Sequence, residues 1–163
     1  MRKITILVAT LLMLAIAAQA QQIQKIIDKY SDDERFTYVS IGSGLLDLGM
    51  NFLKSSKVKF EVENLNAQDA LSKLKGVRVL TLESKKDEKV MKSLVDDLTK
   101  AVRADSNAET IVEVKDKGEI TNIYLTSEGL LIVTKDAKDL TVVCILGEIS
   151  KKWIKEHVFA NMK

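Results

Sequence analysis

The chain predicts an α+β domain, a two-layer sandwich in which helices cover one face of a mainly antiparallel sheet. Three observations predict it. Four strand-like runs between residues 110 and 146 are joined by short turns and form a C-terminal β-meander; such turns force antiparallel neighbours. The helical patterns fall mostly before that meander. The composition, 46% hydrophobic and 29% charged over 163 residues, is that of one globular domain with a real core.

The elements follow in chain order. Residues 22–30 place Ile23, Ile26, Ile27 and Tyr30 at helical spacing, an amphipathic helix. Ser31-Asp32-Asp33-Glu34 breaks it, and residues 35–41 are aromatic and β-branched, a strand. Gly42-Ser43-Gly44 turns the chain into a helix over 45–54, with Leu45, Leu48 and Phe52 facing inward. Residues 57–63 alternate too weakly to assign. Asn64 or Asn66 caps a helix running through Lys75, with Gly76 as its expected terminator. Residues 77–83 form a strand. The helix over 85–104 keeps Val90, Met91, Leu94, Val95, Leu98, Ala101 and Val102 on one face, and Ser84 with Asp87 makes its capping box.

The meander comprises strands over 110–115, 119–126, 130–135 and 140–146. Asp116-Lys117-Gly118, Ser127-Glu128-Gly129 and residues 136–139 are its turns. Ser150 starts a short terminal helix carrying Trp153, Ile154 and Val158, with Ile149 and Ile154 as a hydrophobic staple.

Residues 1–20 read as a secretory signal peptide. Arg2 and Lys3 precede an uncharged apolar run over 4–18, and Ala18-Gln19-Ala20 is a small-x-small cleavage site. The run falls short of the roughly 20 residues of a membrane span. Gln21 and Gln22 stand where a lipoprotein signal has its cysteine. The mature domain, residues 21–163, is therefore expected to be periplasmic or secreted and soluble, with no lipid anchor and no integral span. Cleavage removes two bases and no acid, leaving 23 Lys plus Arg against 23 Asp plus Glu. A neutral domain has no electrostatic footprint for nucleic acid. Absence of proline excludes a Pro-rich linker.

Catalytic motifs are scarce. Cys144 sits in an apolar strand, where burial makes a thiol inert, and the sole histidine, His157, lies on the terminal helix. With one Cys and one His, most metal and thiol chemistry is excluded. Gly42-Ser43-Gly44, followed by Gly49, lacks the lysine of a phosphate loop and the spacing of a dinucleotide turn. Ser43 also lacks the Gly-x-Ser-x-Gly elbow of a nucleophile. No cofactor is expected. The acidic break Asp32, Asp33 and Glu34 is the remaining candidate binding site. Three consecutive acids point in different directions, and a calcium loop needs alternating donors, a glycine and a distal Glu. Asp32 or Asp33 accepting backbone amides in the turn is the simpler role.

Residues 30–41, Tyr-Ser-Asp-Asp-Glu-Arg-Phe-Thr-Tyr-Val-Ser-Ile, combine an acidic break with a Thr-x-Val-Ser-Ile strand. Residues 111–118 read Ile-Val-Glu-Val-Lys-Asp-Lys-Gly, followed by Ile-Tyr-Leu at 123–125 and Leu-Gly-Glu-Ile at 146–149. The chain thereby resembles a family of small exported Bacteroidetes proteins catalogued as a domain of unknown function, often in putative lipoproteins. The resemblance implies a Gram-negative envelope and an α+β fold, and no catalytic residue. Two function classes follow. One is a non-enzymatic exported binding module whose partner is an envelope protein or a small ligand. The other is a periplasmic hydrolase using carboxylates, Asp32, Asp33 and Glu34 among them.

Overall fold

The computed structural model describes residues 21–45, 73–83, 87–136 and 138–157. Helix α1 (Gln22–Ser31) leads into strand β1 (Thr37–Gly42). Strand β2 (Leu74–Glu83) is followed by helix α2 (Glu88–Ala104). The meander is β3 (Glu109–Asp116), β4 (Glu119–Thr126), β5 (Gly129–Lys135) and β6 (Asp139–Gly147), and helix α3 (Lys151–His157) follows. The signal-peptide reading of residues 1–20, the helix over 46–54, the ambiguous stretch 57–63, most of the helix approaching Lys75, Gly49, Ser84 and Val158 lie outside the described residues.

The strands form one six-stranded sheet in the order β1-β2-β6-β5-β4-β3, and every pairing is antiparallel. β6 therefore sits near the centre, with β1 and β3 at the edges. This is an α+β fold. Alternation along the central strands splits their side chains between two faces. Leu131, Val133, Leu140, Val142, Cys144 and Leu146 join α1 and α2 in the main core. Ile23 and Ile27 of α1, and Met91, Leu94 and Leu98 of α2, cover them, all buried. Leu130, by contrast, is buried with Trp153 and Ile154 of α3. The helices thus do not all gather on one face, as the sequence reading expected. Ile123, Leu125, Ile132 and Ile145 leave the second face apolar as well, and α3 covers part of it.

Two other expectations are corrected. Gly76 does not end a helix; it lies inside β2, paired with Gly42 and Leu146. A Cβ there would come 2.9 Å from the Ile41 carbonyl oxygen, so the glycine permits close approach of β1. The cap of α2 is Asp87 itself, whose Oδ1 accepts the Val90 amide at 3.2 Å, so Asp87 is not the third helical residue of a box. Ser150 behaves as expected: its hydroxyl accepts the Trp153 amide at 3.1 Å. The β3–β4 loop is Lys117-Gly118, both at positive φ (45° and 92°), the signature of a two-residue type I′ hairpin. Among the described residues no helix is long and apolar enough to cross a membrane.

Candidate functional site

The acidic break is built around Arg35. Asp33 accepts the Arg35 backbone amide at 3.0 Å and its Nε at 2.8 Å, all within the turn. Arg35 Nη1 reaches the Asp87 carboxylate at the α2 N-cap. The arginine therefore ties the start of β1 to the start of α2. Its side-chain and backbone hydrogen bonds hold the Asp33 carboxyl down at about 2. Asp32 and Glu34 are exposed. The structure brings Asp33 to arginine, and none of the three acids lines the cavity described below.

Two results follow for this turn. The Asp33 carboxyl, followed by NMR, is expected to titrate near 2, and Arg35→Gln to return it toward 3.8. The ion pair supports the fold above pH 3.8 and is lost as the pH falls through about 2. Millimolar calcium is expected to leave the melting temperature unchanged, because both Asp33 oxygens already face Arg35. A calcium-dependent rise erased by Asp33→Asn would contradict this.

Cys144 is 2% exposed in the main core. Burial pushes its thiol up to about 12, and the nearby Glu128 charge pushes the same way. The helix that ends at His157 packs Trp153 and Ile154 with Leu130, in a cluster separate from the core that holds Cys144. A thiol reagent at neutral pH is expected to leave Cys144 unmodified in the native protein and to react fully in denaturant. Rapid native labelling would contradict the burial.

A second polar site lies elsewhere. An open cavity of 550 Å³ lies between the start of α1 and the turns that end β4 and β6. Lys75, Arg78, Glu128 and Glu148 give its lining both charges, and Leu146 and Ile149 give it an apolar part. Glu128 is among its lining residues. The N-cap residue of α1, Gln21, makes no side-chain cap, so the first amides of the helix lack a local side-chain acceptor. Glu128 supplies one from 105 residues away: Oε1 accepts the Ile23 amide at 2.8 Å and Oε2 the Gln24 amide at 3.0 Å. Burial raises the Glu128 carboxyl above its ordinary 4.5, and the two amides pull it down without overcoming that.

The same loop is anchored on its other side. Asp105, just past α2, accepts the Ser127 amide and hydroxyl, each at 2.6 Å. Burial pushes Asp105 up, but the hydrogen bonds from Ser127 and Asn107 outweigh it and hold the carboxyl low. Ser127-Glu128 thus clamps the end of α2 to the beginning of α1. Arg78 adds a tie from β2, its Nη1 donating to Asp28 of α1 at 2.6 Å.

The sequence reading treated Ser127-Glu128-Gly129 as a turn only and did not single out Lys75, Arg78 or Glu148. The signal that was present is the missing cap at Gln21: an amphipathic helix without a local acceptor needs one from elsewhere. Among the described residues no group of three or more His, Cys, Asp or Glu side chains is placed to hold a metal ion.

Residues 30–157 match a family model described as a domain of unknown function, DUF4252. No curated protein and no solved structure matches the chain. The match takes in β1 through α3, including the loop that holds Glu128, and on that span the chain belongs to the DUF4252 family.

Proposed function

We propose that the chain is a non-enzymatic exported binding module of the cell envelope, and that the cavity around Glu128 receives a segment of a partner protein. The observation that carries this reading is the cavity itself: 550 Å³, open, with basic, acidic and apolar side chains together. That lining suits a peptide segment bearing both charges. Export is supported by the basic, apolar and small-residue pattern of residues 1–20. Helix α1 begins at Gln22, so cleavage after Ala20 spares it. Sequencing the N-terminus of the processed protein is expected to read from Gln21, open or cyclised; an uncleaved leader would sink the export reading.

Binding is tested by pull-down from the native envelope with cross-linking. Lys75→Glu combined with Glu148→Lys reverses two exposed charges of the cavity and is expected to lose the captured protein. Capture undiminished by the double variant would overturn the cavity as the site. A second reading, a hydrolase using carboxylates, has one observation in its favour: Glu128 lines the cavity with a raised pKa. Against it, both Glu128 oxygens accept α1 amides. Hydrolysis of an ester or glycoside panel, abolished by Glu128→Gln, would replace the binding reading.

A further inference from the structure

The two edges of the sheet are unlike. Edge strand β3 carries Glu109, Glu113, Lys115 and Asp116, and its pairing with β4 shifts register between Thr110 and Val112. Lys151 of α3 also reaches Glu109 at 2.6 Å. Charges and a bulge are the devices by which sheets protect an edge from further pairing.

Edge strand β1 has none of them. Its sequence, Thr-Tyr-Val-Ser-Ile-Gly, holds no charge and no proline. Its register with β2 runs unbroken from Thr37↔Thr81 to Gly42↔Gly76. Among the described residues β1 pairs with β2 alone. Three large apolar side chains are exposed among the described residues: Val39, at 47%, belongs to this edge, and Leu45 lies past the end of β1. The third, Val114, lies between the charged Glu113 and Lys115 of β3.

We propose that β1 is an interface for a second copy of this chain, the two sheets joining edge to edge through antiparallel β1–β1 pairing. The strand is complementary to itself. Alternation puts Val39 and Ile41 on one face of β1 and Tyr38 and Ser40 on the other. A two-fold axis through Ser40 sets Val39 of each copy opposite Ile41 of the other, giving two apolar cross-strand pairs. Tyr38 then falls opposite Gly42, which leaves room for the ring. No like charges meet anywhere along the six residues, so nothing in the strand opposes its own pairing. Pairing satisfies the outward backbone groups of both copies and closes as a dimer, because among the described residues each copy offers one such edge.

The test is sedimentation equilibrium on the processed chain, supported by cross-linking. The parent is expected to be a dimer. Val39→Lys places an ammonium at the centre of the pairing and is expected to give a monomer with an unchanged far-UV circular dichroism spectrum. Val114→Lys on the opposite edge is expected to remain dimeric. In a Cys144→Ala background, Ser40→Cys is expected to cross-link two copies through a short bifunctional thiol reagent, and Thr37→Cys is not. A parent that is monomeric at every concentration overturns the proposal. So does a Val39→Lys variant that stays dimeric, or cross-linking through Thr37→Cys in place of Ser40→Cys.

Discussion

Gly129→Ala is expected to be the most damaging single substitution in the meander, lowering stability by about 3 kcal/mol or more. Two effects add. Gly129 has φ of 136°, a conformation that side chains rarely adopt. A Cβ on it would also come 2.0 Å from the Ile145 carbonyl oxygen and 3.2 Å from the Gly147 amide. Those atoms are backbone of the paired central strand, so they cannot swing aside as a side chain end would. Relief requires β5 and β6 to separate where Gly129 pairs with Leu146. Thermal or urea denaturation of the variant checks this. A loss below about 1 kcal/mol would mean the hairpin adjusts freely.

Glu128→Ala is expected to lower stability by about 2 kcal/mol, because the amides of Ile23 and Gln24 lose the carboxylate that caps them. Ile23 is 2% exposed, so water replaces the carboxylate poorly there. Hydrogen exchange is expected to quicken at the start of α1 more than in β6. The pH dependence has a definite sign. Burial raises the Glu128 carboxyl above 4.5. In the window just above that value the folded state keeps a proton the unfolded chain has lost. That contribution to stability is complete below pH 4.5 and disappears as the pH rises through the higher native value. Glu128→Gln does not titrate. The parent is therefore expected to lose ground against Glu128→Gln between pH 4 and pH 7. A trend in the other direction would show that the two amides outweigh desolvation.

Much of the fold was legible because it is local. The 119–126 strand is observed with those bounds, and the other meander strands differ by a residue or so at each end. Alternating apolar residues and glycine-bearing two-residue turns carry that information within a few positions. Helix α2 was equally legible from its apolar face, although its first cap came from Asp87. Gly76 misled because a glycine after an apolar, helix-like pattern signals a terminator. The same glycine also suits a strand whose neighbour approaches closely, and that neighbour, β1, lies more than thirty positions away.

By itself the sequence determined the α+β class, an antiparallel meander, an inert core cysteine and an acidic break between α1 and β1. These follow from periodicity, turn chemistry and composition, which act between residues near in sequence. Only the tertiary structure decided that Arg35 joins Asp33 to Asp87 of the α2 cap, that the helices divide between two faces of the sheet, and that Glu128 caps α1. Each depends on which side chains meet across the fold. A buried amide must find an acceptor, but its own sequence neighbourhood does not say which distant loop will bring one.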